Sequence, residues 1–193
     1  MERASGFLLD VYDGAQQCSP SEFNEYALDE LKKLINFDSA GVASFAITPE
    51  KKVAIQSLHL RSADAERFRD RSKTVGVETL DRNGTLASRD SVAANAFAQR
   101  GKSVIVDIEK QFSSPDSLRY CRKYETAHSL AFISNPTTNG TIGGMALWRA
   151  SRKNPYSEEH GQVATLVLPH LFQAMAINRR LATASAVGAN GTT

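Results

Sequence analysis

The sequence predicts an α+β fold built on one mainly antiparallel sheet, and three observations carry the prediction. Apolar residues recur at helical spacing over the first 36 positions, and after Asp38 the period switches to the alternation of paired strands. The chain then closes with an apolar strand, a basic turn and a long helix over residues 143–180.

Phe7, Leu8, Val11 and Tyr12 recur at helical spacing before Gly14, which predicts a first helix over residues 5–17. Ser19-Pro20-Ser21-Glu22 opens the next one with an N-cap serine, proline at the first helical position and glutamate three residues after the cap, the pattern of a capping box. Phe23, Ala27, Leu31, Leu34 and Ile35 supply its apolar stripe, and the helix is expected to stop near Asn36. Residues 41–47 and 53–60 alternate as two strands of a hairpin around Thr48-Pro49-Glu50-Lys51. From 61 to 83, Arg61, Arg67, Arg69, Arg71, Lys73 and Arg82 are interleaved with Asp64, Glu66, Asp70, Glu78 and Asp81. The interspersed acids favour a solvated helix with intrahelical ion pairs over a basic recognition patch.

Asp90 or Ser88 is placed to cap a helix carrying Val92, Ala93, Ala96 and Phe97, with Gly101 just past its end. Residues 103–108, SVIVDI, read as a short buried strand. Ser114-Pro115-Asp116 repeats the cap and first-position proline and opens a helix to residue 125, with Leu118 and Cys121 on one face. Residues 127–134 and 141–149 form a second hairpin across the loop NPTTNG. Gly143 and Gly144 weaken the second of these strands, and close approach of a backbone, a bulge or a ligand is the usual reason for accepting that.

In the closing helix Ser157 is the N-cap before Glu158 and Glu159, whose charges suit the helix dipole, as Arg179 and Arg180 suit its other end. Val163, Leu166, Val167, Leu171, Ala174 and Ile177 fall on one face, expected to pack on the sheet, while Ala164, Leu168, Phe172 and Met175 fall on a second. Leu168, Phe172 and Met175 are therefore expected at a homodimer interface, unless Phe7, Leu8 and Val11 of the first helix cover them within one chain. Pro169 cannot donate to the carbonyl of Thr165, so a kink or a break into two helices is expected there. Residues 182–193, ATASAVGANGTT, hold almost no large apolar side chain and are expected as a flexible tail after a domain of residues 1–181.

Composition bounds the function. The 193 residues, 41% hydrophobic and 23% charged, suffice for a buried core, and 23 Lys plus Arg against 21 Asp plus Glu make no general electrostatic case for nucleic acid or a membrane surface. Two cysteines, Cys18 and Cys121, are too few for a disulfide framework and lack metal-ligand spacing, which points to a reducing cytoplasm. The apolar runs fall short of a bilayer span, and the acidic opening MERASGFLLDVYDG is unlike a secretion signal.

The order of elements resembles the GAF family of small-molecule sensors. More narrowly, INFDSAGVASF at 35–45, MALWRASRKNPYSEEHGQVATLVLPHL at 145–171 and AINRRL at 176–181 resemble the GAF-like N-terminal sensor domain of LuxR-type transcriptional regulators. The resemblance implies a GAF/PAS-like sheet of five to six strands flanked by helices with a long C-terminal helix. It also implies a sensing and dimerisation role without catalysis or cofactor, and a cytoplasmic homodimer with a small-molecule ligand. In that family the terminal helix leads into a helix-turn-helix domain that is absent from this chain, so DNA is expected as a partner only through an appended domain.

The chemistry-bearing residues support no enzyme. There is no nucleophile elbow, phosphate-binding glycine loop or dinucleotide fingerprint. His59, His128, His160 and His170 lack the i, i+4 spacing of a helical zinc site, so no metal is expected, and His170 is read as a partly buried, satisfied histidine. Cys121 stands among Arg119, Arg122 and Lys123, cations that would lower a thiol pKa and allow redox sensing, against the plainer reading of a buried helix cysteine. GAF enzymes that reduce free methionine sulfoxide need several cooperating cysteines, and Cys18 is far away in sequence. Domains that bind acyl-homoserine lactones in quorum-sensing LuxR proteins use a Trp, Tyr and Asp cluster, which does not map onto a chain whose one tryptophan, Trp148, ends the last strand. A pocket is expected between one sheet face and the middle segments, with Phe45, Ser57, His59, Tyr120, Cys121, Tyr124, His128, Phe132, Met145 and Trp148 as candidate lining. Strand alternation is expected to turn about half of these away.

Overall fold

The change of period after residue 36 is a structural boundary. In the computed structural model, which describes residues 2–63, 65–111 and 115–190, the chain divides into a unit of Met1–Asn36 with Leu166–Thr193 and a unit of Phe37–Thr165. The expected cap Ser114, Asp64 and residues 191–193 lie outside the described residues.

The first unit is helical. It contains α1 (Glu2–Gln17), α2 (Pro20–Leu34) and most of the closing helix, Glu158–Asn190. Ser19 caps α2 as the sequence predicts: its hydroxyl accepts from the Glu22 N–H, and the Glu22 carboxylate accepts from the Ser19 N–H at 3.0 Å. A Cβ on Gly14 would lie 2.4 Å from Tyr26 Cε1, so glycine is what lets that ring close onto α1. Phe7, Val11 and Ala15 of α1 and Phe23, Ala27, Leu28 and Leu31 of α2 are buried, as are Val167, Leu168, Leu171, Ala174 and Met175 of the closing helix. The Tyr12 hydroxyl lies 3.2 Å from both His170 Nδ1 and Gln173 Oε1, and Asn178 Nδ2 donates to the carbonyls of Ala15 at 3.0 Å and Cys18 at 2.8 Å.

These contacts correct three expectations. Leu168 and Met175 are buried within the single chain, with α1 laid along the closing helix, and Phe172 is half-buried. Leu166, expected on the buried face, is 48% exposed. The closing helix also runs through Pro169 as one element, because one missing donor interrupts the ladder without removing the bonds on either side. It continues through residue 182 to Asn190, where an alanine-rich run without proline sustains helix.

The second unit holds the sheet. In chain order it comprises β1 (Ser39–Ile47), β2 (Val53–Arg61), α3 (Ala65–Val75), β3 (Thr79–Leu80), β4 (Leu86–Ala87), α4 (Ser91–Ala98), β5 (Ser103–Asp107), α5 (Ile108–Gln111), α6 (Pro115–Lys123), β6 (His128–Ile133) and β7 (Ile142–Arg149). Five strands form an antiparallel sheet in the order β2-β1-β7-β6-β5, so both predicted hairpins form and β1 joins them by pairing with β7. A β-bulge lies between Ser44 and Phe45 of β1. The two-stranded β3–β4 ribbon and the four-residue α5 are too short to leave a period in the sequence.

The segment that most resembles known sensors is scaffold. The Arg149 guanidinium lies 4.0 Å from the Tyr156 ring centroid and donates to the carbonyls of Pro155 at 2.9 Å and Asn154 at 3.3 Å, which ties the basic turn to the end of β7. Ser157 caps the closing helix, its hydroxyl accepting from the His160 N–H at 3.3 Å while its own N–H donates to His160 Nδ1 at 3.0 Å. His160 thus fills the place of the acid in a capping box.

Candidate ligand cavity

Small residues at alternate positions of three neighbouring strands leave a hollow on one sheet face. The register sets Gly41 of β1 beside Ala146 of β7 and Ala43 beside Gly144, and Ala146 in turn beside Ala131 of β6. Gly41, Ala43, Ala131, Gly144 and Ala146 floor a cavity of ≈ 230 Å³, roofed by residues of α3, α4 and α6. An apolar cavity of about 150 Å³ admits benzene. This one therefore has room for a single-ring or short-chain molecule.

Two aromatic side chains stand at the ends of the floor. A Cβ on Gly41 would come within 2.9 Å of Trp148 Cη2, and one on Gly144 within 3.0 Å of Phe45 Cε1. The close approach expected at Gly144 is thus that of an aromatic ring. Beyond Phe45 the lining is apolar, with Leu86, Ala96, Phe97 and Ile133 in one buried cluster.

The roof carries the charges. Arg67 and Arg71 of α3, expected on a solvated face, turn inward because helical spacing puts both on the side that meets the cavity. Arg67 is 5% exposed; its guanidinium lies 3.8 Å above the Trp148 ring centroid and donates to Ser39 Oγ at 3.2 Å and Thr126 Oγ1 at 2.6 Å. Arg71 bridges Asp90 at 3.0 Å and Glu78 at 3.2 Å. Burial works against its charge, and the two carboxylates outweigh that, so its proton is held more firmly than in water. Asp90 Oδ1 also caps α4, accepting from the N–H groups of Val92 at 3.0 Å and Ala93 at 3.1 Å. The Tyr120 hydroxyl donates to the Arg67 carbonyl at 3.2 Å.

Of the ten expected lining residues, Phe45, Tyr120, Cys121 and Trp148 turn into this cavity. Phe132 and Met145 border it from the strand backbone, since the register pairs Phe132 with Met145 and Met145 with Val42 on the opposite face. Ser57, His59 and His128 also belong to that opposite face: Ser57 bonds Ser44 at 2.6 Å, His59 pairs with Val42, and His128 Nε2 lies 3.3 Å from the Arg152 carbonyl. Tyr124 lines a separate polar hollow of ≈ 400 Å³ and donates to Asp70 at 2.8 Å.

Cys121 is buried, and burial first, reinforced by Asp90 and opposed by Arg67, pushes its thiol up to about 11. The neighbouring cations expected to lower it project from other faces of α6: Arg119 reaches Asp116 at an exposed site, and Lys123 reaches Glu66 and Asp70. A thiol so placed is not a reactive thiolate. Among the described residues no group of three His, Cys, Asp or Glu side chains is placed to hold a metal ion, and no helix is long and apolar enough to cross a membrane.

Arg67, Arg71 and Ser129 are cavity residues that sequence reasoning missed. The readable signal was the alternation of small residues at 41 and 43, 129 and 131, and 144 and 146, which marks one face of three strands as unfilled.

No protein-family model matches the chain, and no curated protein matches it in sequence. Its fold is shared with solved structures. The chain is similar to an N-acylhomoserine-lactone-dependent LuxR-family transcription factor, CepR2, from Burkholderia cenocepacia: TM-score 0.64, 12% identity, over 95% of this chain and 99% of that one. It is similar to the phycoerythrobilin-bound GAF domain of a cyanobacterial phytochrome, at TM-score 0.54 and 11% identity over 91% and 96% of the two chains. The LBD domain of VqsR from Pseudomonas aeruginosa aligns at TM-score 0.51 and 11% identity over 93% and 96%. At these identities the likeness is one of fold, the GAF-like α+β fold that LuxR-family sensor domains also have.

Proposed function

We propose that this chain, folded as GAF-like sensor domains of LuxR-type regulators are, is the small-molecule-sensing domain of such a transcription regulator and performs no catalysis. The supporting observation is the cavity floored by Gly41, Ala43, Ala131, Gly144 and Ala146. Interiors are otherwise close-packed, and a concave apolar space with a few convergent polar groups is the usual form of a ligand site. Ligand binding is transmitted to the terminal helices, and an appended helix-turn-helix domain reads the change. This requires a ligand whose affinity differs between two arrangements of the domain. We read the regulator as a cytoplasmic homodimer, in keeping with the resemblance to the sensor domains of LuxR-type regulators.

To test the reading, the purified chain is incubated with a small-molecule extract of bacterial cells, and compounds retained through gel filtration are identified by mass spectrometry. We expect a compound held by the wild-type chain and lost from Ala131→Phe, whose ring fills the cavity, with circular dichroism unchanged. Equal retention by the variant overturns the assignment of this cavity.

A second reading, recognition of an N-acylhomoserine lactone, is supported by Trp148, Tyr120 and Asp90 all lining the cavity. It is the weaker one, because Asp90 Oδ1 is held by α4 and Oδ2 by Arg71, which leaves the carboxylate engaged before a ligand arrives. A melting temperature raised by short-chain acylhomoserine lactones would favour it.

A further inference from the structure

Ser129 stands on the cavity face of β6, beside Trp148 in the register, and is 2% exposed. Its Oγ has no hydrogen-bond partner among the described residues. Buried hydroxyls are nearly always paired, because an unpaired one has lost its water and gained nothing in return. The group therefore points to an acceptor or donor supplied from inside the cavity.

The charged groups facing the same space are balanced and engaged with the protein. Two guanidiniums, Arg67 and Arg71, meet two carboxylates, Glu78 and Asp90, so these lining charges sum to zero. Arg71 is bound to both acids, and Arg67 lies against Trp148 with donors on Ser39 and Thr126. An anion entering here would lose its hydration and meet no net positive charge. Away from Ser129 the register carries the floor through Ala131 and Ala146 to Ile133 and Gly144, and on to Phe45 and Ile142. One end of the face thus offers a hydroxyl, and the rest is apolar.

Resting on the reading of this cavity as the ligand site, we propose that the ligand is a neutral, mainly apolar molecule with a single hydrogen-bonding group, anchored by Ser129 Oγ. Its body lies along the small-residue floor toward Phe45. Cys121 and Tyr120 add no charge, since burial raises the pKa of each.

Three matched probes test this on the full chain at pH 7, by thermal shift and calorimetry: 2-phenylethanol, ethylbenzene and phenylacetate. The wild-type chain is expected to bind the alcohol roughly three- to tenfold more tightly than the hydrocarbon, the span of one net hydrogen bond, and to bind phenylacetate more weakly than either. Ser129→Ala is expected to bring the alcohol to the hydrocarbon's affinity while leaving the hydrocarbon unchanged. Ser129→Cys, which keeps the volume and only a weak donor, gives the same comparison if the alanine variant does not fold. Phenylacetate binding more tightly than the alcohol overturns the neutral ligand class, and an alcohol preference that survives in both variants, or is missing in the wild type, overturns the anchor. Either result leaves the cavity standing as a ligand site. Failure of the wild-type chain to bind any of the three overturns the cavity reading and this inference together.

Discussion

A thiol pKa near 11 leaves Cys121 protonated at neutral pH, packed against Ile108 and Val106, so the thiolate that alkylation needs is scarce. Native protein treated with iodoacetamide at pH 8 is expected to alkylate Cys121 at least about tenfold more slowly than protein in urea, read by peptide mass spectrometry. Equal rates would show that the thiol is open and would restore redox sensing as a function. The cations around Cys121 in sequence suggested the opposite, because proximity along a helix says nothing about which face a side chain leaves from. Gly41 and Gly144 teach the same lesson from the other side. The sequence showed that Gly144 needed a physical reason, and only the packing supplied the ring of Phe45 as that reason.

Between elements, the tie of α3 to α6 is a small acid–base cluster. Asp70 of α3 is held down to about 2 by hydrogen bonds from Lys123 and Tyr124 at the end of α6, and Lys123 also reaches Glu66. A carboxylate whose folded pKa lies below its unfolded value stabilises the fold above about pH 4. That contribution is lost as pH falls from about 4 through 2. The melting temperature of the wild-type chain is therefore expected to drop more steeply between pH 5 and pH 2 than that of Asp70→Asn; parallel curves would show that the cluster does not hold the roof. The capping motifs of α2 and of the closing helix were legible beforehand, since caps are local and use residues within one turn. The inward turn of Arg67 and Arg71 was not, because a helix rich in both charges reads as solvated until something is packed against it.

For the molecule as a whole, the question is whether the closing helix needs a second copy. Leu168 is fully buried and Met175 nearly so within one chain. Leu168→Ala is expected to cost about 2–5 kcal/mol, the range for a buried leucine, with the oligomeric state unchanged. A folded, stable variant whose oligomeric state alone has changed would return Leu168 to a subunit interface. The sequence by itself determined the order of helices and hairpins, the caps, and the α+β class, because periodicity and capping act over a few residues and do not depend on what lies across the fold. Only the tertiary structure decided that β1 pairs with β7, which face of each strand borders the cavity, and that Ser129, Arg67 and Arg71 meet there. Those facts rest on register between residues as much as a hundred positions apart, and a shift of one residue would have turned Ser129 and every small residue of the floor to the opposite face.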